Sequence, residues 1–135
     1  MKQQRFDVRW IVLASLVLAF VAGRYVAAQA KPAASAPSAT PIETVWKTRT
    51  ALAGKTVTVR GKVVKFNGGI LGVNWIHVQD GTGKEAERTN DITITSDADA
   101  KIGETITATG IVGINKDLGS GYNYPVIIEK AKITR

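Results

Sequence analysis

The chain has 135 residues, a formal net charge of +7, no cysteine and one histidine. That length suits one domain, and 44% apolar residues are enough to bury a core. Without cysteine there is no disulfide, no thiol nucleophile and no Cys-ligated zinc or iron-sulfur centre, and a lone histidine excludes multi-His metal clusters.

Residues 1–30 read as an export signal. Lys2, Arg5 and Arg9 precede an uncharged run from Trp10 to Gly23, and Ala28-Gln29-Ala30 follows as a small-x-small cleavage site. The mature chain is therefore expected in the periplasm. The competing reading keeps the segment uncleaved and anchors the protein to the inner membrane. Against it, the run is shorter than the ~20 residues that spanning needs, and Arg24 interrupts any extension. Residues 31–39, rich in Ala, Pro and Ser, predict a disordered linker, leaving 40–135 as the domain.

The domain reads as one short helix followed by five strands. Thr40-Pro41-Ile42-Glu43 offers a capping hydroxyl, a proline for the first helical position and an acid for a capping box, so a helix over 41–52 is expected. Ile42, Val45, Trp46 and Leu52 fall near one face of it, and Gly54 is placed to end it. The alternation of Val57 and Val59 with Thr56, Thr58 and Arg60 predicts a half-buried first strand from residue 55. Gly61 and the parity break at Val63-Val64 predict a bulge or bend. Asn67 to Val73, with three glycines, is expected to be a flexible loop.

Ile76 and Val78 alternate with Trp75, His77 and Gln79 in a second strand, and Asp80-Gly81-Thr82-Gly83 carries turn chemistry. Asp91 to Ser96 is the third strand, Asp97 to Gly103 a polar turn, Thr105 to Asn115 the fourth strand, and Tyr122 to Thr134 the fifth after a Gly-rich loop. Gly54 to Val63 echoes Gly103 to Val112: each strand opens after a turn glycine and carries a second glycine seven residues later, Gly61 and Gly110. Two long strands bent at such glycines close naturally into a barrel.

These two Gly-led strands, Asn74-Trp75-Ile76-His77-Val78-Gln79-Asp80-Gly81-Thr82-Gly83, and the Gly-rich loop before the last strand resemble an OB-fold over about residues 54–134. More narrowly, the chain resembles small exported bacterial OB-fold proteins that are nucleic-acid-binding-like by fold. The expected class is all-β: a five-stranded OB-fold barrel over 55–134 with a short N-terminal helix, preceded by a signal peptide. The helix usual between the third and fourth strands is reduced here to a turn.

The resemblance implies a binding face on the second and third strands, bordered by the loops after the first strand and before the fifth. Here that face offers Trp75, His77, Gln79, Thr93 and Thr95, rimmed by Asn67, Tyr122 and Tyr124, with Arg60, Lys62 and Lys65 supplying positive charge. From Thr44 to Gln79 every charged residue is basic, whereas acids outnumber bases from Asp80 to Glu104. Aromatic planes beside cations are what single-strand binders use. The same residues have plainer uses: Trp75 and the tyrosines as covers of the barrel, His77 as a satisfied cross-strand residue, the cations as solvated edge charges.

Other motifs fail on context. Gly54-Lys55-Thr56 lacks the upstream glycine of a phosphate loop, no calcium-loop spacing is present, and Ser120 between glycines has no strand-turn-helix elbow. No catalytic residue, metal site or cofactor is assigned, and a non-enzymatic monomer is expected. Its expected partner is single-stranded nucleic acid or another polyanion. A periplasmic protein partner in an envelope assembly, cytochrome or redox, is the alternative. Haem handling ranks last: haem chaperones of cytochrome c maturation also resemble exported OB barrels, but their His-containing tail is missing here.

Overall fold

A computed structural model describes residues 37–135, so the expected signal peptide over 1–30 and most of the expected linker over 31–39 lie outside the described residues. Its elements are helix α1 (Ile42–Leu52) and strands β1 (Thr56–Ile70), β2 (Val73–Gln79), β3 (Ile92–Ser96), β4 (Thr105–Asp117) and β5 (Asn123–Thr134), with a 3₁₀ turn at Glu85–Glu87. The sheet closes into a ring in the order β1-β2-β3-β5-β4, with β4 returning to β1. All neighbours run antiparallel except β3 and β5, which meet in parallel through Thr93↔Ile127 and Ile94↔Ile128.

The alternation read from the sequence sets the inside of this ring. Val57, Val59, Val63, Ile76, Val78, Ile92, Ile94, Ile106, Ala108, Val112, Val126 and Ile128 form one buried cluster. The bend expected at Val63-Val64 is a bulge: β1 and β2 slip register between Val63 and Lys65, which leaves Val64 facing out and returns Phe66 to the core side. The two echoing glycines mark close approaches. A Cβ on Gly61 would stand 2.5 Å from the Gln79 carbonyl oxygen, and one on Gly110 would stand 2.7 Å from that of Glu129. The β4–β5 register slips at Gly110.

Two local expectations are corrected. Asn67 to Val73 is not a loop: β1 continues to Ile70 and only Leu71 and Gly72 turn, both with positive φ (+55° and +80°), because the glycines are absorbed in an irregularity between Asn67 and Ile70. Nor does Thr40 cap the helix. Pro41 stands at the N-cap without a side-chain bond, and the cap comes from the β2 turn instead. The Asp80 carboxylate accepts from the Ile42 N–H at 2.8 Å, and Thr82 Oγ1 accepts from the Glu43 N–H at 3.1 Å. Glu43, free of a capping box, pairs with Lys47 one turn on. The Asp97 to Gly103 stretch is a turn, as expected, and contains no helix.

Helix α1 sends Ile42 and Val45 fully buried into the same core cluster, with Trp46 and Leu52 packed against it. Asp80 is thus a joint between helix and ring. Burial pushes its carboxyl upward, but hydrogen bonds from the Thr82 hydroxyl and the Ile42 and Thr82 backbone N–H groups outweigh that and hold it below the usual aspartate value. A carboxyl depressed on folding stabilises above its unfolded pKa, and that contribution disappears as pH falls through the folded value. Asp80→Ala is expected to cost about 0.5–2 kcal/mol, as for lost N-caps, at neutral pH in urea titrations. The difference from the parent should vanish in acid below the ordinary aspartate range.

Candidate functional site

β2 places Trp75, His77 and Gln79 on the outer face, opposite Ile76 and Val78, and the β1 pairing sets Asn67, Lys65 and Lys62 beside them in turn. The sequence-predicted residues are therefore neighbours on one surface, but they divide among three depressions, one of which, of about 340 Å³, takes Gln79, Thr93 and Tyr124 together with the acids Glu85 and Asp91. A cleft of about 580 Å³ lies between the tips of the β1–β2 and β4–β5 hairpins and gathers Lys65, Trp75, His77, Tyr122 and Tyr124. Arg60, Lys62 and Gln79 line a separate, shallower groove with Asp80 and Thr105. They are not part of the cleft, because β1 bulges at Val64 between Lys62 and Lys65. Thr93 and Thr95 are both buried, and Thr95 Oγ1 accepts from the Lys130 N–H at 3.3 Å, so neither is a free ligand contact.

Trp75 forms the floor of the cleft and is not an open stacking plane. Only 8% of it is exposed, its Nε1–H donates to the Ile70 carbonyl at 2.8 Å, and Tyr124 stacks over it with centroids 5.4 Å apart. Burial raises the Tyr124 hydroxyl pKa, and neighbouring Tyr122 adds to the shift. Tyr122, 64% exposed, is the aromatic ring that a ligand can reach.

His77 has one nitrogen fixed. Its Nδ1 meets Asp91 Oδ1 at 2.8 Å, and the Asp91 carbonyl accepts from Trp46 Nε1–H at 2.7 Å, tying the imidazole to the helix. Asp91 is not among the residues lining the cleft, whereas His77 is. The other ring nitrogen has no protein hydrogen bond among the described residues.

The walls are apolar and were not anticipated from the sequence. Ile70 and Leu71 come from one hairpin tip and Leu118 from the other, and all three expose much of their surface; Leu71 is 74% exposed. A leucine at positive φ costs roughly 1–2 kcal/mol that glycine or asparagine would avoid. The signal for these walls was a large apolar residue inside each glycine turn, Leu71-Gly72 and Leu118-Gly119. The second tip is held by its own bonds: the Leu118 N–H donates to the Tyr122 carbonyl at 2.9 Å, and the Gly119 N–H donates to the Asp117 carboxylate at 2.8 Å. Ser120 sits there at φ +53°. The lining carries Lys65 and no acid.

The sequence matches no protein-family model and no curated protein.

Proposed function

We propose that this protein is an exported, non-catalytic OB-fold binding module that holds an anionic ligand at the cleft between its hairpin tips. The strand order β1-β2-β3-β5-β4 with a parallel β3–β5 closure supports the OB assignment, as does the seat of the cleft over β2 between the two expected loops. The observation that carries the reading is the joint presence of accessible Tyr122, His77 and Lys65 in one acid-free cleft. Arg60 and Lys62 extend the positive charge along β1 beyond it. A single strand of nucleic acid fits this pairing of rings and cations.

Oligo-dT titrated into the protein should quench tryptophan fluorescence at low salt. With Lys65, Lys62 and Arg60 each neutralising a phosphate, log affinity should fall against log salt with a slope of about −2. Unchanged fluorescence at low salt, or affinity indifferent to salt, would remove the polyanion. The exposed Ile70, Leu71 and Leu118 favour a second reading, a protein partner docking on the same tips. Capture of such a partner would persist in high salt and be lost on Leu71→Asn, a substitution suited to the turn.

A further inference from the structure

The hairpin that walls one side of the cleft carries the single Asn-Gly step of the chain, Asn67-Gly68; the other four asparagines precede Trp75, Asp91, Lys116 and Tyr124. A glycine in that place leaves its backbone nitrogen open to the preceding side chain, because no Cβ shields it. A regular strand ladder would hold the step rigid, but here the ladder is broken. Asn67 pairs with Trp75, the next paired residue of β1 is Ile70, and Gly68 has no residue opposite. Gly69 follows at φ +71°. Asn67 is half-buried and lines the cleft, and its carboxamide makes no side-chain hydrogen bond among the described residues. Asn74, across the hairpin, is held: its Oδ1 accepts from the Gly69 N–H at 3.0 Å and its Nδ2 donates to the Ala98 carbonyl at 3.2 Å. Asp80-Gly81, the comparable acidic step, has its carboxylate tied by the Ile42 N–H and by both the N–H and the hydroxyl of Thr82.

We propose that Asn67 is a site of spontaneous deamidation, which turns a neutral part of the cleft lining acidic. The Gly68 backbone nitrogen bonds to Asn67 Cγ and the Cγ–Nδ2 bond breaks. The Gly68 N–H proton passes to solvent, Nδ2 takes a proton from solvent and leaves as ammonia, and water opens the cyclic imide to aspartate or isoaspartate. No oxidant or reductant takes part. Lys65 and Asn67 stand two residues apart on the same face of β1, opposite His77 and Trp75. The lining holds Lys65 and no acid, so the new carboxylate is the first negative charge there and offsets that lysine. This effect on binding rests on the anionic ligand proposed above; the chemistry at Asn67 does not.

The test compares the parent with Gly68→Ala and Asn67→Asp. Gly68 is not at positive φ, and an added Cβ meets the Phe66 ring edge at 3.2 Å and Asn74 Oδ1 at 3.4 Å, so alanine is accommodated by a small shift. Near-UV circular dichroism checks that both variants are folded. In warm, mildly alkaline buffer the folded parent should gain, at Asn67, the mass difference between an acid and an amide, with Asn74 unchanged. The tryptic peptide 66–84 contains both, and fragmentation separates them. Gly68→Ala should keep its amide over the same period. Asn67→Asp should bind oligo-dT more weakly at low salt, with a salt slope shallower by about 0.7 because one phosphate contact is offset. An Asn67 amide that survives in the folded protein while the urea-unfolded chain loses it, or equal conversion at Asn74, would overturn the site. Unchanged oligo-dT affinity in Asn67→Asp would overturn its effect on the cleft. Conversion of Asn67 in a parent that binds no oligo-dT would uphold the site and sink the polyanion reading.

Discussion

Trp75→Ala should lower the stability of the domain by about 3–5 kcal/mol, the usual cost of deleting a large buried ring. The side chain is 8% exposed, its indole N–H is bonded to Ile70 and its outer plane lies under Tyr124, so removal takes out the floor of the cleft, its hydrogen bond to the hairpin tip and its stack with Tyr124. Against a total of about 5–15 kcal/mol, this brings the variant close to unfolding at room temperature. Urea titration would read it as a large fall in the midpoint. A loss below about 1 kcal/mol would show that Trp75 is a free plane after all. Binding defects of Trp75→Ala are therefore uninformative, whereas Tyr122→Ala, at an exposed ring, should change stability by less than about 0.5 kcal/mol and report on the ligand alone.

The second large effect is expected at the curvature glycines. Gly110→Ala places a methyl carbon 2.7 Å from the Glu129 carbonyl oxygen and from Ile128 Cγ2, and Gly61→Ala brings one against the backbone of Gln79 and Val78 Cγ1. Neither neighbour is a flexible side-chain end exposed to solvent; each is backbone or a branched core residue. Overpacking of this kind costs typically about 1–3 kcal/mol. In a domain of this size that is a drop in Tm of roughly 4–20 °C. Gly119→Ala, at an open turn with positive φ, meets no atom within 4 Å and should suffer only the backbone penalty. Equal, small losses at all three glycines would show that the strands bend for some other reason.

These glycines were legible because their role is local: a glycine seven residues after the turn glycine that opens each long strand, in matched settings, announces a bend before any pairing is known. Period-two alternation likewise marked which side of β1 and β2 carries the core valines and isoleucines, and the parity break at Val64 marked the bulge. What the sequence hid depends on distant partners. Thr40 offers a nearby hydroxyl, yet Asp80 and Thr82 cap the helix from 38 and 39 residues away, a distance at which no local pattern operates. Trp75 stands at an outward position of its strand, but Tyr124 of β5 covers it only once the ring closes. The site separated into a cleft and a groove for the same reason: a one-residue bulge divides Lys62 from Lys65 on what looks like a single row of cations. Apolar residues at hairpin tips break the expectation that turns are polar, and Leu71 and Leu118 passed as ordinary turn neighbours until both tips met over His77.

The central claim is that ligand sits between the two hairpin tips, and amide chemical-shift mapping tests it most directly. With the protein labelled by nitrogen-15 and titrated with oligo-dT at low salt, perturbation is expected to be confined to residues 65–77 and 117–124, with Tyr122→Ala weakening the response. Shifts clustered instead on helix α1, or on the Arg60 and Gly81 groove with Leu71 and Ser120 unmoved, would contradict it.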